Sequence, residues 1–154
     1  MRTLVIYYSL EGNTKLIAET IASSLNADLY RIKPMFDIQV HPFMKYVDGT
    51  RLILDHCKPN LESLKVDFTR YDRIYVGTPV WALNVAPAIR TLLLDKIKDK
   101  EVALFYTYKG LPYHFEEKNN RFLSIHGFKN VQHHQMDCIL ESNYWAKRYH
   151  LTIK

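Results

Sequence analysis

The sequence predicts an α/β protein: a doubly wound, five-stranded parallel sheet with helices on both faces. Three observations predict it. Strand-like and helix-like patterns alternate from one end of the 154 residues to the other. The strand segments include near-continuous apolar runs, the type buried on both faces of a parallel sheet. No repeat, low-complexity tract or linker interrupts the series, so one domain over residues 1–154 is expected.

Arg2–Tyr8 is the first strand, apolar almost throughout. Thr14–Leu25 carries Ile17, Ile21 and Leu25 at helical spacing, with Ala18 and Ala22 beside them. Asp28–Lys33 reads as a shorter, weaker strand. Pro34 to Pro59 has little pattern and holds one expected helix around Lys45–His56, and Pro59–Tyr71 is a polar connection. Arg73–Gly77 is a clear strand and Val85–Leu94 a clear helix, with Ala86 and Pro87 in its first turn, where proline is tolerated. Val102–Thr107 is the next strand. Phe115–Ile125, Asn130–Asp137 and Leu140–Tyr149 complete the series as helix, strand and helix.

A chain of this length buries roughly two-thirds of its unfolded surface. No apolar run approaches the ~20 residues needed to span a bilayer. The N-terminal apolar run is too short for a secretory signal, so a cytoplasmic protein is expected. Cys57 and Cys138 are isolated thiols without C-x-x-C spacing, and read as reduced. The net charge of +5 comes from 21 basic and 16 acidic residues scattered along the chain. That is a diffuse positive surface favouring acidic partners or anionic ligands, rather than a nucleic-acid groove. The seven histidines lack ligand spacing, so no metal site is expected. Ser9 lacks the flanking glycines of an acyl-transfer nucleophile, and no catalytic side chain is assigned.

In a sheet of this class ligands bind beyond the carboxyl ends of the strands, where strand order reverses. The loops after the first, third and fourth strands therefore form one expected surface. Gly12, Gly77 and Gly110 lie in or beside them, while Gly49 and Gly127 read as turn residues. The first loop, Ser9-Leu10-Glu11-Gly12-Asn13-Thr14, runs straight into a helix. Free N–H groups at a helix start, together with the helix dipole, make an anion site. Ser9, Asn13 and Thr14 add side-chain donors. An ordinary strand-to-helix turn, with Asn13 or Thr14 near the cap, accounts for this segment equally well. The second loop, Gly77-Thr78-Pro79-Val80-Trp81-Ala82-Leu83-Asn84, offers Trp81 for stacking on a flat ring. Packing beneath the loop is the other use for that indole. The third loop, Tyr106-Thr107-Tyr108-Lys109-Gly110-Leu111-Pro112-Tyr113, offers Tyr108 and Tyr113 in the same way. A phosphate cradle, an aromatic wall and backbone amides together suit a flat heteroaromatic phosphate ester.

At these residues the chain resembles the flavodoxin family over nearly its whole length. Tyr8-Ser9-Leu10-Glu11-Gly12-Asn13-Thr14 is similar to the family's phosphate loop, T/S-x-T-G-x-T. Tyr71-Asp72-Arg73-Ile74-Tyr75-Val76-Gly77-Thr78-Pro79-Val80-Trp81 is similar to the strand and loop of flavodoxin-like reductases. The resemblance implies a flavodoxin-like fold and bound flavin mononucleotide, FMN. It implies that Ser9, Leu10, Glu11, Gly12, Asn13 and Thr14 surround the phosphate. Pro79, Val80, Trp81 and Ala82 would line one side of the isoalloxazine, and Thr107, Tyr108, Lys109 and Gly110 would meet its other edge. Glu11 departs from the family pattern by putting a carboxylate where a hydroxyl is usual, with Lys15 near enough to offset some of that charge. Lys109 and Leu111-Pro112 replace the paired small residues common in the third loop.

The expected function is thus an FMN-binding redox protein acting in electron transfer. Its partner would be a redox protein or a small-molecule donor or acceptor, NAD(P)H or a quinone. One alternative is a flavodoxin-like, NAD(P)H-dependent FMN quinone reductase; another is a flavin-free interaction module on the same fold. A phospho-receiver is disfavoured, because Tyr8-Ser9 and Gly77-Thr78 stand where it needs acidic residues.

Overall fold

The computed structural model describes residues 1–38, 44–97, 101–108, 118–119 and 132–137. In chain order the elements are β1 (Thr3–Tyr7), α1 (Asn13–Leu25), β2 (Asp28–Arg31), α2 (Met44–Leu54), β3 (Arg73–Trp81), β4 (Asn84–Val85), α3 (Pro87–Thr91), β5 (Glu101–Tyr108) and β6 (Gln132–Asp137). A single 3₁₀ turn at Phe68–Arg70 precedes β3, and α3 widens into a π-helical turn over Leu92–Lys96. The strands run β2-β1-β3-β5-β6, all parallel, as the sequence predicts, and β4 pairs antiparallel with the end of β3. The expected helices at Phe115–Ile125 and Leu140–Tyr149 lie outside the described residues for most or all of their length. So do Cys138, Gly110 and Gly127.

Successive residues of a strand point to opposite faces, so an apolar run on a central strand feeds two cores. Leu4, Ile6 and Tyr8 join Ile74, Val76, Leu104 and Tyr106 on the face covered by α3 through Ala88, Ile89, Leu92 and Leu93. Val5 and Tyr7 join Tyr75, Ala103 and Phe105 on the other face, under Ile17, Ala18, Ile21 and Ala22 of α1. Helix α1 stops at Asn26, which has the left-handed conformation (φ 48°), and the next amide, of Ala27, donates back to the Ala22 carbonyl at 2.9 Å. Asparagine is one of the few residues that adopts this conformation readily.

Besides shifts of one or two residues at other element ends, three features differ from expectation near the site. Strand β3 continues past Gly77 to Trp81, because β5 keeps pairing with it as far as Pro79↔Thr107. Helix α3 begins at Pro87, two residues later than predicted, because Val85 pairs with Val80. The proline also holds Ala86 extended (ψ 145°), so the helix cannot start before it. Gly49 lies inside α2, not in a turn.

At the opposite end of the sheet, Asp28 accepts hydrogen bonds from the Tyr71 hydroxyl (2.8 Å) and the Arg2 guanidinium (3.1 Å). These hold its carboxyl below the usual carboxylate range, the Tyr71 bond contributing most. A depressed folded-state pKa gives stability that is present above the unfolded pKa and is lost as the pH falls through the folded one. Asp28→Asn is therefore expected to be less stable than the parent at neutral pH, by an amount that shrinks below about pH 4. Urea melts of both proteins across that range check it, and a gap that widens in acid would contradict it.

Candidate functional site

Strand order reverses between β1 and β3, where α1 leaves toward one face and α3 toward the other. The crevice expected there is bounded by the β1–α1 turn, the β3–β4 hairpin and the end of β5.

The β1–α1 turn is built around Gly12, the N-cap of α1, with φ 99°. An L side chain rarely adopts that conformation, and among the described residues a Cβ built on Gly12 meets nothing within 4 Å. Ser9 is buried, and its Oγ accepts the Gly12 N–H at 3.1 Å, which closes the turn. The first intrahelical bond runs from Leu16 N–H to the Gly12 carbonyl at 3.0 Å. The amides of Asn13, Thr14 and Lys15 thus have no intrahelical acceptor, and no side chain caps the helix. Their N–H groups and the helix dipole favour an anion at this end.

The side chains of this turn divide the work differently from expectation. Thr14 is buried, and its hydroxyl shares a 2.8 Å hydrogen bond with the Thr107 hydroxyl on β5. That bond ties α1 to the sheet below the turn. Leu10 packs against the core, while Glu11 and Asn13 are exposed. Lys15 pairs with Glu19 one helical turn on, at 3.6 Å, rather than with Glu11. Among the described residues, a cation the sequence did not single out meets the turn's backbone: Arg31, at the end of β2, donates to the Ser9 carbonyl at 2.8 Å.

The second wall is a hairpin rather than the open loop expected. Pro79 and Val80 are half-buried strand residues, Trp81 pairs with Asn84, and only Ala82 and Leu83 form the turn. Both turn residues have positive φ, 45° and 59°. Without glycine that conformation costs about 1–2 kcal/mol per residue. Trp81 is half-buried; its ring meets Tyr8 edge-on (centroids 5.7 Å apart, planes at 86°) and lies against Gly49 of α2. The Tyr8 hydroxyl donates to Asp37 at 2.6 Å. Burial first, then this bond and the carboxylate charge, push the Tyr8 phenol far above its ordinary value, so it stays a donor. Asp37 falls in the stretch that carried no sequence pattern, and nothing there announced this contact.

At the end of β5, Thr107 and Tyr108 are both buried, Tyr108 in the core beside Tyr106 (6.3 Å between centroids). Lys109 and Gly110 lie outside the described residues. The structure therefore brings the turn at residues 9–14, the hairpin and the end of β5 together at the carboxyl ends of the central strands. The Thr107 and Tyr108 side chains are engaged inside the protein.

The family model described as Flavodoxin matches residues 2–119. Among solved structures, a flavoprotein from Lactobacillus acidophilus, crystallised in complex with FMN, is 27% identical. The match covers 88% of this chain and 91% of that one, with a TM-score of 0.72. A protein from Bacteroides uniformis described as a flavoprotein shares the fold at 23% identity, over 88% of each chain, also with a TM-score of 0.72. A flavodoxin, WrbA-like protein from Agrobacterium tumefaciens shares it at 18% identity, over 88% of this chain and 83% of that one, with a TM-score of 0.54. No curated protein matches the chain. No helix among the described residues is long and apolar enough to cross a membrane.

Proposed function

The chain belongs to the flavodoxin family, and from that premise we propose that it binds FMN at the crevice described above and acts in electron transfer. The observation that carries this reading is the start of α1. A glycine cap with a positive φ stands under open space, and the amides of the first turn have neither an intrahelical acceptor nor a side-chain cap. A flavin phosphate fits that donor set, because its oxygens would accept from amides that have no intrahelical acceptor.

In this reading the Asn13, Thr14 and Lys15 amides bind the phosphate, and Gly12 leaves room for it. Arg31 adds positive charge beside the turn, and Glu11 is exposed, so solvent screens its repulsion of a phosphate. The β3–β4 hairpin and Trp81 form the ring-side wall, with Tyr8 and Asp37 fixing the indole from behind. FMN, once bound, supplies one- and two-electron redox chemistry; the protein supplies position, exclusion of water and field. The +5 charge suits an acidic protein partner or an anionic small molecule such as NAD(P)H.

Titration of cofactor-free protein with FMN, followed by flavin absorption and fluorescence, tests this. Saturable one-to-one binding is expected. Addition of NAD(P)H, then a quinone, separates a reductase (rapid bleaching and turnover) from a carrier (no direct reduction). A protein that leaves FMN free in solution overturns the proposal in favour of a flavin-free interaction module.

A further inference from the structure

The Ala82–Leu83 turn has the two successive left-handed residues of a type I′ hairpin, a geometry that ordinarily takes Asn-Gly. Here side chains hold it instead. Asn84 donates its amide to the Ala82 carbonyl at 2.8 Å. Asn119 donates Nδ2 to the Leu83 carbonyl at 3.3 Å, and its Oδ1 accepts the Val85 N–H at 3.4 Å. In a two-residue hairpin closed by Trp81 and Asn84, the Leu83 carbonyl and the Val85 N–H face away from β3. A carboxamide presents one donor and one acceptor side by side, as a peptide group does. Asn119 therefore pairs with the open edge of β4 as another strand would. It is 2% exposed and reaches across more than 30 residues of sequence to do so.

We propose that Asn119 is a positioning residue: it clamps the hairpin that carries Trp81 and Ala82 in the shape that receives the flavin ring. This rests on the FMN reading above. Asn119 follows the third loop in the chain, so the clamp ties the ring-side wall to the segment beyond the opposite wall. An Asn-Gly turn would hold its own shape. This Ala-Leu turn makes the shape of the wall depend on one distant side chain.

Asn119→Asp keeps the volume but turns the donor toward Leu83 into an acceptor, so two oxygens oppose each other and the carboxylate is pushed off the hairpin, taking the acceptor for Val85 N–H with it. Three results are expected. Hydrogen exchange at the Val85 amide accelerates at least tenfold in the cofactor-free protein. FMN binds about tenfold more weakly, with a shifted flavin absorption band. Leu83→Gly, added to Asn119→Asp, recovers most of that affinity, because glycine holds the turn unaided. Purely structural use of Asn119 would lower the melting temperature without altering the flavin band. Wild-type affinity and an unshifted band in a folded Asn119→Asp variant overturn the proposal, whatever the Val85 amide does. If that variant does not fold, Asn119→Ala, which removes both the donor and the acceptor, is read against the same outcomes. A parent protein that ignores FMN overturns the functional reading, and the ring-positioning role with it, before any variant is made. Val85 exchange then reports the clamp alone.

Discussion

Gly77→Ala is expected to destabilise the protein by about 3 kcal/mol, near the top of the range for overpacking a core. A Cβ at this position would lie 2.2 Å from Phe105 Cζ and within 3 Å of both ring ε carbons. Gly77 and Phe105 are direct partners in the β3–β5 register, so their side chains leave the same face of the sheet. The ring occupies the volume a side chain at residue 77 would need, an arrangement in which an aromatic covers a strand glycine. Phe105 is fully buried beneath α1, in the cluster that holds Ile17, Ala18 and Ile21. Close-packed interiors leave such a ring no free volume to move into. For a chain of this size the loss corresponds to a fall of roughly 6–12 °C in melting temperature. Phe105→Leu, destabilising alone, should relieve the clash. The double variant is then expected to be at least about 1 kcal/mol more stable than the sum of the single changes predicts. Additive losses would mean that the ring and residue 77 do not compete for space.

Gly12→Asp is expected to weaken FMN binding at least a hundredfold, about 2.7 kcal/mol, while leaving the fold intact. The two effects separate because they have different origins. No described residue lies within 4 Å of a Cβ at residue 12, so the cost expected in the cofactor-free protein is the strain of φ 99°. That strain is about 1–2 kcal/mol, and aspartate tolerates positive φ better than most residues. The proposed phosphate, by contrast, would meet a carboxylate in the space the glycine leaves open. Gly12→Ala is the companion variant, with somewhat more backbone strain and no charge, and should lose less affinity. Thermal melts without FMN and FMN titrations of the three proteins check the prediction. Equal affinity in all three would place the phosphate elsewhere.

The two glycines show how much of the candidate site was legible. Gly12 sits between a strand run and a helical pattern, and its use at a helix start follows from that local context. Gly77 has an equally local setting, and the sequence places it at the rim of a loop. The structure puts it in mid-strand, because β5 continues to pair two residues beyond it. In sequence Trp81 suits either stacking on a flat ring or packing beneath its loop; its edge contact with Tyr8 and its packing on α2 depend on a segment without pattern. Thr14 was read as a donor to a ligand, yet its hydroxyl is shared with Thr107, a residue 93 positions away. The Ala-Leu turn carries none of the Gly or Asn that marks a hairpin, so β4 was absorbed into the following helix.

By itself the sequence determined the parallel α/β class, the strands buried on both faces and the glycine turn that opens α1. Each is written in periodicity or composition over about ten residues, where burial and backbone preference act locally. Only the tertiary structure decided where β3 ends, that Gly77 makes room for Phe105, that Arg31 is the cation tied to the Ser9 carbonyl, and that Asn119 holds the hairpin. The physical reason is that pairing and packing partners far apart in the chain are chosen by the whole core at once. A strand's own pattern says which faces are buried; it does not say how long its neighbour will keep pairing with it.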